Sequence, residues 1–172
     1  MSLVLLLGGA RSGKSRLAVR LATETGAPVV FLATGEAGDD EMADRIARHR
    51  AERPADWTTV EEPVALREAV AAAPPDAALV VDCLSLWVAN LLESRPAAEI
   101  EAEAAAAAAL AAGRTKTIAV SNEVGLGVVP ATPLGRAYRD VLGRVNAIWA
   151  EAADEAYFVV AGRVLRLSEL GG

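Results

Sequence analysis

The sequence predicts an α/β protein built on a mainly parallel sheet with helices on both faces. Three observations predict it. Short apolar runs at residues 3–7, 29–32, 77–82 and 117–120 alternate with longer stretches of helical spacing. The first run leads into a glycine-rich turn that is followed at once by a helix. The last two apolar runs, 157–160 and 164–167, are separated by a turn and close the chain as a hairpin.

The first element is Leu3-Val4-Leu5-Leu6-Leu7, an unbroken apolar run of the kind that forms a strand buried on both faces. Gly8-Gly9-Ala10-Arg11-Ser12-Gly13-Lys14-Ser15 follows and satisfies G-x-x-x-x-G-K-[ST]. Arg16 to Ala22 then continues as helix. Strand, glycine turn and helix together are the context in which this motif is a phosphate-binding P-loop. Gly8 and Gly13 let the backbone turn so that successive N–H groups converge on phosphate oxygens. The start of the helix adds unpaired N–H groups and the positive end of its dipole. Lys14 is one of only two lysines in the chain, against fifteen arginines, and it stands where a phosphate-binding ammonium is required. The Ser15 hydroxyl is suited to Mg²⁺.

Composition narrows the class of ligand. The chain has 172 residues, 53% of them hydrophobic, which predicts a single domain spanning 1–172 with a full core. A net charge of −6 argues against a broad nucleic-acid surface, so a small phosphorylated ligand is expected. The single Cys83 forms no internal disulfide and reads as inert core, in keeping with a reducing, cytoplasmic setting. No apolar stretch is long enough for a membrane span.

Along the chain, Val29 to Leu32 is a second buried strand whose end opens into Ala33-Thr34-Gly35. Ligands gather at the carboxyl ends of strands in open α/β sheets. Thr34 is therefore either a ligand contact or part of an ordinary strand-end turn. Residues 39–53 read as a helix with acids at its start and arginines at its end, stopped by Pro54. Arg45, His49 and Arg53 recur on one face of it. A lone histidine on a charged helix is ordinarily a solvated residue. The flanking arginines open an alternative, because they favour the neutral, nucleophilic imidazole and would offset charge on an attacked phosphate.

Trp57 to Glu61 is predicted as a strand and Pro63 to Ala73 as a short helix broken by Pro74-Pro75. Ala77 to Asp82 is a third buried strand ending in a carboxylate. Downstream of a P-loop, that is the Walker-B arrangement, with a helix-capping aspartate as the plain alternative. Cys83 to Leu92 and the alanine-rich Ala97 to Ala112 read as helices. The second of these lacks large apolar groups and is expected at the periphery or as a spacer. The strand from Thr115 to Ser121 runs into an unusual loop, 122–130, with two glycines and exposed apolar residues. A helix from about Pro133 to Ala153 carries Arg136, Arg139 and Arg144.

Several of these stretches resemble the bifunctional adenosylcobinamide kinase / adenosylcobinamide-phosphate guanylyltransferase family of cobalamin biosynthesis. They are Gly8 to Arg16, then Asp40-Glu41-Met42 with Arg45, Ile46 and His49, and Arg53-Pro54 with Trp57. Asp82-Cys83, Asn90-Leu91-Leu92, Ser121-Asn122-Glu123-Val124-Gly125 and Gly143-Arg144-Val145-Asn146 complete the set. The P-loop is shared by many families; the His49 helix and the Asn122 to Gly125 block are far more specific.

The resemblance implies a RecA-like P-loop NTPase fold, a cytoplasmic homotrimer and two reactions. A nucleoside triphosphate, ATP or GTP, phosphorylates adenosylcobinamide. GTP then transfers GMP to the resulting phosphate through a guanylylated histidine, which falls on His49. Nucleotide contacts carry over to Gly9, Ala10, Arg11, Ser12, Gly13, Lys14, Ser15 and Arg16. They also carry over to Ala33, Thr34, Gly35, Arg50, Ala51, Glu52, Arg53, Glu61 and Asp82. Gly35 stands where many members carry serine, and Asp82 where some carry glutamate. The competing readings are another P-loop kinase in which His49 is structural, and a non-catalytic nucleotide sensor whose 124–129 loop docks a partner.

Overall fold

A computed structural model describes residues 1–36, 50 and 53–168 of the chain. Twelve elements are seen among them: β1 (Leu3–Gly8), α1 (Lys14–Thr23), β2 (Val29–Ala33), β3 (Thr58–Glu61), α2 (Leu66–Ala72), β4 (Ala78–Asp82), α3 (Leu84–Leu92), α4 (Ala97–Ala112), β5 (Thr117–Asn122), α5 (Pro133–Ala152), β6 (Glu155–Val160) and β7 (Arg163–Leu167). The strands form one sheet in the order β3-β2-β4-β5-β1-β6-β7. All neighbours are parallel except β6 and β7, which form the expected antiparallel hairpin. The helix expected over 39–53 falls almost wholly outside the described residues.

The strand sequences explain the layering. Side chains alternate across a strand, so consecutive apolar residues serve opposite faces. Leu3, Leu5 and Leu7 join Val30, Leu32, Leu79, Val81 and Ala119 on one face. Val4 and Leu6 join Phe31, Val80, Ile118 and Val120 on the other. The first face is covered by α2, α3, α4 and α5, whose Trp87 and Trp149 are 1% and 0% exposed. The second packs against α1 through Ala18 and Ala22. With both faces covered, apolar runs and not alternating ones are what the strands require.

The spacer expected of the alanine-rich segment is overturned. Ile100, Ala104, Ala107, Ala108 and Ala111 of α4 are buried in the main core. Small side chains let α4 lie closely against its helical neighbours, so an absence of bulk here marks close packing, not a peripheral place. α5 starts as its sequence dictates. Thr132 caps it by accepting the Gly135 N–H at 3.1 Å, and Pro133 occupies a first-turn position where no N–H is needed. No helix among the described residues is long and apolar enough to cross a membrane.

Candidate functional site

β1 ends at Gly8, and the turn that follows is shaped by backbone conformations that side chains rarely permit. Gly8 has φ 150° and Gly13 φ 104°, with Arg11 between them at φ 56°. A Cβ at Gly8 would run into the carbonyl oxygen of Val159 on β6, so only glycine fits. Gly13 is the N-cap of α1 and offers no side chain to its first-turn N–H groups, which leaves them for an anion. The β6–β7 turn braces the loop from the side: the Gly162 N–H donates to the Ser12 carbonyl at 2.8 Å.

Lys14 opens α1 and is 7% exposed. Its ammonium curls back over the loop, donating to the carbonyls of Gly8 at 2.9 Å and Gly9 at 2.7 Å and lying 3.4 Å from Ser12 Oγ. Burial and two carbonyl anchors hold the positive charge at the mouth of the turn. Gly9, Ala10 and Arg11 are exposed there, and half-buried Ser15 follows Lys14 on α1. The Arg16 guanidinium stands over Gly13 and Gly162.

Because β1 to β5 run parallel, their carboxyl ends share one edge of the sheet. β5 lies between β1 and β4, so Gly8 and Asp82 flank the tip of β5. Asp82 is in register with Ala33, and Ala33 with Glu61. Arg50 pairs with Glu61 at 3.5 Å. The Arg53 guanidinium lies 3.5 Å over the ring of Phe31, which stacks on Trp57 at 6.4 Å. Burial lowers the pKa of Arg53, the field of nearby Asp82 works against that shift, and the charge remains throughout the ordinary pH range.

Thr34 has a structural task. It is fully buried, and its hydroxyl donates to the Cys83 carbonyl at 2.6 Å and accepts the Cys83 N–H at 2.9 Å. Its own N–H reaches the Asp82 carbonyl at 3.2 Å, and its carbonyl accepts from Asn90 at 2.8 Å. Thr34 thus ties the tips of β2 and β4 together and holds Asp82 in place, with Gly35 half-buried beside it. Cys83 is buried, and desolvation pushes its thiol up to about 11, in keeping with an inert core residue.

The structure therefore gathers Gly8 to Arg16, Ala33, Thr34, Gly35, Arg50, Arg53, Glu61 and Asp82 at one edge. His49, Ala51 and Glu52 lie outside the described residues. Two further groups shape this edge without a role foreseen from sequence. Asn146 on α5 accepts from the Ser121 hydroxyl at 2.6 Å and donates to the Asn122 carbonyl at 3.0 Å. Glu123 donates its N–H to the Gly8 carbonyl at 3.1 Å. The signal for Glu123 was the polar block that follows an otherwise apolar strand, and Asn146 is a polar residue among the buried positions of α5.

As chemistry, the edge combines an anion cradle, a buried ammonium, two arginines and a carboxylate with a hydroxyl. Ser15 and Asp82 are hard oxygen donors of the kind Mg²⁺ takes alongside phosphate oxygens, so the residues present fit that ion.

Comparison with known proteins agrees with this geometry. Two solved structures share the fold at low identity. The flagellar accessory protein FlaH from Methanocaldococcus jannaschii has a TM-score of 0.51 at 15% identity, over 95% of this chain and 74% of that one. An ATPase of a bacterial type III secretion system has a TM-score of 0.55 at 15% identity, over 91% and 50%. Sequence relatives are much nearer. A Pseudomonas aeruginosa protein named bifunctional adenosylcobalamin biosynthesis protein CobP is 49% identical over 163 residues, 92% of each chain. The Escherichia coli protein named bifunctional adenosylcobalamin biosynthesis protein CobU is 39% identical, over 93% of this chain and 96% of that one. The family model described as cobinamide kinase / cobinamide phosphate guanyltransferase matches residues 4–167. With a P-loop, an Asp82-bearing strand and this match over nearly its whole length, the chain belongs to the cobinamide kinase / cobinamide phosphate guanyltransferase family.

Proposed function

We propose that the protein phosphorylates adenosylcobinamide with a nucleoside triphosphate and then transfers GMP from GTP to the product through a guanylylated His49. The released products are adenosylcobinamide-GDP and pyrophosphate. One observation carries the reading. Arg50, the residue that follows His49 in the chain, pairs with Glu61 at the same sheet edge that holds Lys14 and Asp82. That supports counting Arg50, the chain neighbour of His49, among the charged groups of the edge at which a triphosphate would bind.

In the transfer, a ring nitrogen of His49 forms a bond to the α-phosphorus of GTP, and the bond from that phosphorus to the bridging oxygen breaks. Lys14 and the backbone N–H groups of residues 9–15 hold the departing pyrophosphate. Arg50 and Arg53 offset the charge that develops at the α-phosphate. The acceptor phosphate then attacks the same phosphorus from the histidine adduct and frees the imidazole. Mg²⁺, held by Ser15 and Asp82 when bound, would supply charge neutralisation across the phosphate oxygens. The remaining parts of the reading are GTP or ATP as phosphoryl donor, a homotrimeric assembly and a cytoplasmic place. Nucleic acid is not a partner.

Separating the two half-reactions tests this. His49→Ala should abolish guanylyl transfer while phosphorylation of the corrinoid alcohol continues, since phosphoryl transfer to a hydroxyl calls on no imidazole. Equal loss of both activities in a folded variant would contradict it.

A further inference from the structure

At the tip of β5 the phosphate cradle, the Asp82 strand and α5 meet. Asn122 is in register with Gly8, and the next N–H, that of Glu123, donates to the Gly8 carbonyl at 3.1 Å. The half-buried Glu123 side chain turns back on its own loop, where Oε1 accepts the Gly125 N–H at 2.6 Å. Gly125 is matched to that pose, because a Cβ there would stand only 2.9 Å from the same oxygen. One carboxylate oxygen is thereby anchored, and the second retains its lone pairs.

At the Gly125 end of this turn opens a shallow cavity of about 390 Å³, lined by Gly125 together with Arg139, Asp140, Gly143, Arg144 and Ala147 of α5. Its height follows from the helix. Asn146 bonds to the Asn122 carbonyl at the sheet's carboxyl edge, and α5 runs from there toward its own N-terminus beyond that edge. At about 1.5 Å per residue, Arg139 stands roughly 10 Å further out. The cavity therefore lies outside the sheet on the side of the phosphates, and the Glu123–Gly125 turn joins it to Gly8.

We propose that Glu123 is the proton acceptor of the phosphorylation step, and that the acceptor alcohol approaches from the cavity along α5. This deepens the kinase half of the function proposed above and rests on it. The acceptor O–H bond breaks and its proton passes to the free Glu123 oxygen. The acceptor oxygen bonds to the γ-phosphorus, and the bond from that phosphorus to the β-phosphate oxygen breaks, releasing the nucleoside diphosphate. A carboxylate suffices because phosphoryl transfer passes through a loose transition state in which the alcohol loses its proton late. Guanylyl transfer has no such need: its acceptor is a phosphate already ionised at neutral pH. The two half-reactions should therefore respond differently to this one side chain.

The test uses the full chain with Glu123→Gln and Gly125→Ala, and two assays. Phosphorylation is read as nucleoside diphosphate released on addition of the corrinoid alcohol. Guanylylation is read as pyrophosphate released from GTP. Glu123→Gln should lower kcat for phosphorylation on the order of 10²–10⁴-fold, with the nucleotide KM within about twofold and the guanylylation rate little changed. Gly125→Ala, which displaces the carboxylate without removing it, should give a smaller fall in the same kcat. Equal loss of both half-reactions, or no loss of phosphorylation, would each overturn the proposal. If the unaltered protein releases no nucleoside diphosphate, the kinase reading itself fails, which is a separate outcome.

Discussion

Ser121 at the end of β5 donates its hydroxyl to Asn146 Oδ1 at 2.6 Å, and both residues are almost wholly buried. The amide of Asn146 continues to the Asn122 carbonyl, so one side chain on α5 locks the tip of the strand beside the phosphate loop. Asn146→Leu keeps the volume and removes both bonds, leaving a buried hydroxyl and a carbonyl without partners. The expected cost is about 1–3 kcal/mol, read from urea unfolding midpoints at unchanged slope. Asn146→Asp can still accept from Ser121 but buries a carboxylate against the Asn122 carbonyl, so it should not rescue the loss. A variant as stable as the parent would show that α5 does not hold β5 through this pair.

Lys14 is pinned by two carbonyls at 2.7 and 2.9 Å in a site that leaves it 7% exposed. In the proposed function both half-reactions draw on a triphosphate seated at this turn, so Lys14→Met should lower each on the order of 10²–10³-fold. Lys14→Arg should not restore them, because a planar guanidinium cannot occupy the place of a compact ammonium in so confined a turn. Steady-state rates with near-ultraviolet circular dichroism as a fold control check this. Loss of only one activity would mean that the two reactions use different nucleotide sites.

Burial raises the Cys83 thiol from 9.0 to about 11. Below pH 9 the thiol is protonated both folded and unfolded and adds no slope. Between about 9 and 11 the unfolded chain gives up this proton and the folded chain keeps it, so stability falls as pH rises. The size is on the order of 1–3 kcal/mol over that window. Cys83→Ala should flatten the alkaline decline relative to the parent, measured as unfolding free energy at pH 8 and 10.5. Identical pH slopes would contradict the assignment. A thiol reagent at pH 8 should label the denatured protein and spare the folded one.

Much of the arrangement was legible in the residues. β1, the glycine turn and α1 follow from Leu3 to Ala22, because a buried strand, a φ-permissive turn and a helix each leave a local signature. The strand ending at Asp82 and the closing hairpin are similarly local. The order that sets β5 between β1 and β4 is not, since crossovers are decided by packing between distant segments. Thr34 shows the same limit at one residue: its polarity marked the edge, while its partners Cys83 and Asn90 lie about fifty residues away. α4 misled because its alanines signal close contact only when the neighbouring helices are known.

The central claim is that a nucleotide seated on the Lys14 turn becomes bonded for a time to His49. Incubation with GTP labelled in the α-phosphate, alkaline quench and peptide mapping measures this directly. One labelled peptide containing His49, acid-labile and absent from His49→Ala, is the predicted result. Retention of label by His49→Ala, or no covalent label at all on a protein that still forms the guanylylated corrinoid, would contradict it.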